Sequence, residues 1–274
     1  MNISVIIPIH EYSDEISVML GKAVETIETQ EKIKELPVIY IVYPTSIEKD
    51  IVGFRDSMLR KEQGKIKIEL VKNDGDSDFQ SQINLAVKSV KTDYFSILEF
   101  DDEYSTTYFK NAEKYIKFYP KINFFLSLII ETNGEDKGIK TTNEMVWSQQ
   151  FVGENGELGY LNASVLKQYT DFKMSGSVLN KADFIDIGGF KKNIKLTFMY
   201  EFLLRALVNT CKIYVIPKIG YKHIATREGS LFDVYQKKMP MAERKFWFDT
   251  ATKESNFNND RQIDISPLNV VDKK

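Results

Sequence analysis

The sequence predicts an α/β fold with a doubly wound, mostly parallel sheet flanked by helices, on three observations. Strand-like and helix-like segments alternate through the front half of the chain. The strand-like runs are short and apolar, as buried strands are. One of them, Tyr94 to Phe100, runs straight into the acids Asp101, Asp102 and Glu103, with Glu99 inside it. Such a cluster cannot share a buried strand's environment without a cation or water, so it belongs at the strand's carboxyl end, where open α/β sheets bind ligands.

In chain order, Ile3 to Ile7 is a first strand stopped by Pro8, with no basic segment ahead of it, so a signal peptide is not expected. Ile16, Met19, Leu20, Ala23 and Ile27 recur at helical spacing behind a cap at Ser13 or Asp14. Pro37 to Tyr43 is a second strand ended by Pro44, Ser46 to Arg60 a surface helix, and Ile66 to Val71 a third strand. Phe79, Ile83, Ala86, Val87 and Val90 form the next apolar stripe, ahead of the acid-tipped strand. Beyond it come a helix over Thr107 to Phe118, a strand over Ile122 to Ile130, a turn or exposed loop over Glu131 to Lys140, and an irregular stretch from Phe151 to Gly159 before a short helix. Gly188-Gly189 is a sharp break, Met199 to Leu207 an amphipathic helix and Cys211 to Ile216 a late strand. The pattern from Ser230 to Glu254 is helical, interrupted near Pro240, and a polar tail follows.

The 37 basic and 39 acidic residues nearly cancel, so bulk charge draws the chain neither to nucleic acid nor to an anionic membrane. A single cysteine, Cys211, allows no internal disulfide and points to a reducing, cytoplasmic setting. No apolar run approaches the ~20 residues that span a bilayer.

The order of these segments resembles the family 2 glycosyltransferases and their GT-A fold. The opening Ile3 to Glu11 looks like that family's first strand and donor-binding turn, with Pro8, His10 and Glu11 on the donor side. Asn73, Asp74, Gln82 and Asn84 fall at its Asn/Gly turn and following helix, and Glu99, Asp101 and Asp102 at its Asp-X-Asp-Asp signature. Asp186 to Phe190 is similar to its Ile-Gly-Gly-Phe break, Tyr200-Glu201 to its Glu-Asp helix start, and Tyr221-Lys222-His223 with Ser230 to its closing elements. The resemblance implies a GT-A-like domain over 1–228, with a nucleotide-donor half (1–103) and an acceptor half (104–228), then a helical extension (229–254) and a polar tail (255–274).

It further implies an inverting, divalent-metal-dependent glycosyltransferase that moves a sugar from a nucleotide-sugar donor to a hydroxyl on a glycan, protein or modified base. Asp101 and His223 would hold Mn²⁺ or Mg²⁺, which suit hard oxygen ligands, and Glu99 and Asp102 would lie on the donor side. Glu201 would be the general base. Each role has a plainer competitor: a solvated turn for the acids, a structural histidine for His223, and a dipole-complementing acid for Glu201. The chain also departs from the family. Its second strand ends Tyr43-Pro44-Thr45-Ser46 without the acid that reads the donor base, for which Asp74, Asp76 or Glu11 could substitute, and Gln82 replaces an arginine. The alternative function is a non-catalytic GT-A-like module that binds glycans or nucleotides. A nucleotidyltransferase ranks below both, because no Gly-rich, Lys-bearing loop follows the first strand. Phe246-Trp247-Phe248 is read as a packed helix face or a contact between copies of the chain.

Overall fold

The structure is a computed structural model, and it describes residues 1–61, 65–133, 137–143, 160–168, 170, 172–225 and 238–254. One ten-stranded sheet runs through these residues in the order β3 (Lys67–Asn73), β2 (Val38–Pro44), β1 (Ile3–Pro8), β4 (Tyr94–Ile97), β9 (Val178–Asn180), β6 (Phe124–Thr132), β10 (Ile213–Ile224) and β5 (Glu103–Tyr104), with β7 (Gly138–Thr142) added to β6 and β8 (Tyr160–Leu161) to β10. β1 (Ile3–Pro8), β2 (Val38–Pro44), β3 (Lys67–Asn73) and β4 (Tyr94–Ile97) form its parallel half. Val5 and Ile7 face one core while Ile6 faces the other, the alternation a strand imposes when both of its faces are covered.

The crossovers follow the sequence closely. α1 (Asp14–Glu28) begins where the Ser13 hydroxyl accepts the Ile16 N–H at 3.2 Å, and it buries Ile16, Leu20, Ala23, Val24 and Ile27. A 3-10 turn over Thr45–Ile47 leads into α2 (Glu48–Lys61). α3 (Phe79–Ser89), capped by Asp78, fills the opposite face with Ile83, Ala86 and Val87. α4 (Tyr108–Phe118) follows the two-residue β5 (Glu103–Tyr104).

The second half mixes parallel and antiparallel pairs. β6 (Phe124–Thr132) and the long β10 (Ile213–Ile224) are parallel, but β9 (Val178–Asn180) lies antiparallel between β4 and β6 and joins the two halves. The late strand continues past the expected end at Ile216, through Pro217, by register shifts at Ile219 and Tyr221; proline donates no ladder hydrogen bond, so the strand bulges there.

The stretch expected as a turn or exposed loop, Glu131 to Lys140, needs correction. Glu131 and Thr132 are buried at the end of β6, and β7 (Gly138–Thr142) pairs back onto them. The Glu131 charge is tolerated because the Lys173 ammonium and the Thr142 hydroxyl meet it. Residues 134–136 of that stretch, the irregular stretch 151–159, Ser230 and the polar tail lie outside the described residues.

β8 (Tyr160–Leu161) precedes α5 (Ala163–Gln168), and α6 (Lys181–Asp186) leads to the Gly188-Gly189 break. α7 (Phe198–Val208) carries α8 (Met241–Glu254) on its flank, with Phe248 buried against Tyr200 and the Thr197 hydroxyl bonded to the Trp247 carbonyl at 2.9 Å. Phe246 stays exposed. Among the described residues no helix is long and apolar enough to cross a membrane.

Candidate active site

The acid cluster occupies the turn between β4 and β5. β4 ends at Ile97, Leu98 N–H still reaches the Ile6 carbonyl at 3.0 Å, and the chain reverses when Asp102 N–H bonds the Glu99 carbonyl at 3.1 Å. β5 then pairs Glu103 and Tyr104 with Lys222 and Tyr221 of β10. That pairing brings His223 to the acids across more than a hundred residues of chain.

Asp102 is 1% exposed and fully engaged. Its carboxylate accepts the Ile224 N–H at 3.0 Å and lies 3.0 and 3.1 Å from His223 Nδ1. A carboxylate only accepts, so Nδ1 carries a proton, and in the neutral ring Nε2 keeps the lone pair. Burial works against charging the ring, but the charge and hydrogen bond of Asp102 outweigh it and raise the His223 pKa above its usual value.

Glu99 is pinned beside them. Its carboxylate accepts the Ser175 hydroxyl at 2.6 Å, and its backbone N–H donates to the Tyr221 hydroxyl at 3.0 Å. Burial, then the charges of Asp102 and Asp101, push its carboxyl up to about 7 against the opposing pull of His223 and Ser175. Ligand atoms of Glu99, Asp102 and His223 lie within 4.8 Å of one another. Two carboxylates and an imidazole are a donor set that fits Mn²⁺ or Mg²⁺. Asp101, half-exposed in the same turn, lies outside that converging trio while acting on Glu99 through its charge.

The other expected donor residues divide. Pro8 is buried at the end of β1, and the exposed His10, paired with Glu11 at 3.4 Å, sits with its ring 5.9 Å from that of Phe100 in the acid turn. Asp74 accepts the Thr45 hydroxyl and so stands at the tip of β2. Asn73, Gln82 and Asn84 use their amides on the backbone: Asn73 closes its own turn onto Gly75 and Asp76, and Gln82 bonds the Ser77 carbonyl. Asn84 clamps Phe190 through both N–H and carbonyl, at 2.9 and 2.7 Å.

Glu201 is fully buried. Arg205 takes both of its oxygens, Nε to Oε1 at 2.7 Å and Nη2 to Oε2 at 2.9 Å, and Lys191 approaches to 3.4 Å. The same guanidinium bonds the carbonyls of Ile187 and Gly189, so the pair holds the glycine break in place. Gly189 has φ +61, and a Cβ there would fall 2.5 Å from Asn84 Oδ1, which is why the position needs glycine.

Ser175, Gly176, Lys173 and Glu131 were not expected at the site. Gly176 has φ +66, and a Cβ on it would fall 2.3 Å from the Tyr221 ring. Its carbonyl receives the hydroxyls of Tyr108 and Ser127, both at 2.8 Å. The glycine between Ser175 and Ser177 was the one signal in the sequence that could have marked this segment.

The architecture matches solved structures along nearly its whole length. S. aureus TarS residues 1–349 in complex with UDP-GlcNAc aligns over 98% of this chain and 78% of that one, with TM-score 0.61 and 15% identity. The mannosyltransferase PcManGT from Pyrobaculum calidifontis, in complex with GDP-Man and Mn²⁺, aligns over 97% of this chain and 67% of that one, with TM-score 0.64 and 10% identity. The fold is that of the GT-A glycosyltransferases. No protein-family model matches the sequence, and no curated protein matches it. At these identities the GT-A likeness is one of fold, and the chemistry has to be argued from the site.

Proposed function

We propose that this chain is an inverting, divalent-metal-dependent glycosyltransferase that moves a sugar from a nucleotide-sugar donor to a hydroxyl acceptor. The observation that carries this reading is the convergence of Glu99, Asp102 and His223 at the carboxyl end of the parallel strands, in a fold shared with proteins solved with UDP-GlcNAc and with GDP-Man and Mn²⁺. Of that trio, His223 Nε2 and Glu99 would hold Mn²⁺ or Mg²⁺ while Asp102 fixes the imidazole's tautomer and direction from behind, and Asp101, which stands outside the trio, would complete the ligand set only by a shift of the turn. The bound ion would neutralise the diphosphate as it leaves. Asp74, held at the tip of β2 by the Thr45 hydroxyl, would read the donor's base in place of the acid that strand lacks. Glu201 can take an acceptor proton only if Arg205 releases one of its oxygens.

That ion pair is also the observation favouring the second reading, a non-catalytic GT-A-like module that binds a nucleotide or glycan without transfer. Thermal unfolding with Mn²⁺ and a panel of UDP, GDP, CDP and dTDP sugars tests the first reading, because a ligand that binds only the folded state raises its melting temperature. One donor should stabilise the protein, and only with metal. Donor-dependent stabilisation without release of sugar to any hydroxyl acceptor would favour the module, and indifference to every donor would refute the donor-binding claim itself.

A further inference from the structure

The segment Lys173 to Gly176 meets the end of β4 at Ile97, β6 at Ser127 and Glu131, and β10 at Tyr221, and is fixed along its length. Asn143 clamps Lys173, accepting its N–H at 3.0 Å and donating to its carbonyl at 2.9 Å, and ties it to the Ser127 carbonyl at 2.8 Å. Asn143 makes this clamp with φ 64, a left-handed conformation that asparagine tolerates better than most residues. Ser175 holds Glu99, and Gly176 N–H bonds the Ile97 carbonyl at 3.0 Å. The segment therefore has little freedom to carry its side chains elsewhere.

Lys173 is the long cationic side chain on this arm. Its ammonium lies 2.9 Å from Glu131 Oε1, and Glu131 is paired with His223 in the β6–β10 register. Glu131 is itself buried and held by the Thr142 hydroxyl, so it is a rigid brace. The ammonium is thus held on the strand neighbour of His223, and Ser175, two residues along the same segment, holds Glu99. A bound metal alone leaves part of a diphosphate's charge uncompensated; because Lys140 also reaches Glu131 at 3.5 Å, the two ammonium groups outweigh that one carboxylate, and Lys173 keeps charge for a phosphate oxygen.

We propose that Lys173 binds the diphosphate of the donor, with Glu131 as the positioning residue that aims it; the claim presupposes the nucleotide-sugar activity above. Lysine suits this as a compact point charge on a braced stem.

The competing role, simple neutralisation of Glu131, is separated by calorimetric titration of UDP, GDP, CDP and dTDP in the presence of Mn²⁺, with the matching monophosphates as controls. The variants are Lys173→Met, Lys173→Arg, and Lys173→Met combined with Glu131→Gln, which leaves no uncompensated buried charge if the single variant fails to fold. Loss of a charge-assisted contact should weaken the preferred diphosphate about 10- to 100-fold in Lys173→Met and in the double variant, with the monophosphate changed little and Lys173→Arg largely restored. A folded double variant that binds the diphosphate within about twofold of the wild type overturns the Lys173 assignment and leaves the proposed activity standing. A wild-type chain that binds none of the four diphosphates overturns both.

Discussion

His223 Nδ1 stands 3.0 Å from Asp102 Oδ2, and the other oxygen of the same carboxylate takes the Ile224 N–H at 3.0 Å. One buried side chain therefore joins the acid turn to the last strand of the sheet and sets which imidazole nitrogen is open to a cation. Asp102→Asn would present an amide that can face the ring with either its oxygen or its nitrogen, so the tautomer is no longer dictated. Mn²⁺ affinity should fall about 10- to 100-fold, the usual cost of losing a histidine's supporting carboxylate. Titration of Mn²⁺ into the wild type and this variant checks it.

Glu201→Gln separates an anchor from a base. Arg205 would keep a neutral partner in a buried site, and stability should fall by about 3 kcal/mol, as when other buried ion pairs are broken. Chemical denaturation measures that loss. If the folded variant then transfers sugar at the wild-type rate, the base role fails; if transfer drops about 10²- to 10⁴-fold with stability unchanged, the anchor role fails.

Glu131 gives the fold a dependence on acid. Burial would raise its pKa, but Lys173 by charge and hydrogen bond, then Thr142 and Lys140, outweigh burial and hold it below the usual 4.5. A carboxylate depressed in the folded state contributes stability above its unfolded pKa and loses it as pH falls through the folded value. Below about pH 4.5 the melting temperature of the wild type should therefore fall more steeply than that of Glu131→Gln.

Gly176→Ala should cost about 2 kcal/mol or more, since the new Cβ meets the Tyr221 ring on a backbone with positive φ. Gly75→Ala, whose nearest neighbour would be Asn73 Oδ1 at 3.5 Å, should stay within about 0.5 kcal/mol. Equal losses in urea denaturation would show that the Gly176 contact is not what fixes the segment.

Much of the parallel half was legible because its signals are local. Alternating cores, the Ser13 cap and Pro44 each act within a few residues. β5, β8 and β9 are two or three residues long, too short to show a period, and their pairing is decided by distant strands. Glu131 looked like loop because its composition is polar, while its burial depends on Lys173, 42 positions away. At the site, the acids of the β4 turn announced themselves by mutual repulsion. Ser175 and Lys173 carried no comparable pattern. The backbone contacts of Gln82 Nε2 and of the Asn84 amide, and the hold of Arg205 on Glu201, depend on tertiary packing and left no mark in the local sequence.

Anomalous scattering from crystals soaked with Mn²⁺ and the nucleoside diphosphate that stabilises the protein most is the direct test of the donor site. The account predicts one manganese peak at bonding distance from His223 Nε2 and a carboxylate of the Glu99–Asp102 turn, with the diphosphate on its open side. A nucleotide bound without metal there, or manganese bound only elsewhere on the molecule, would contradict it.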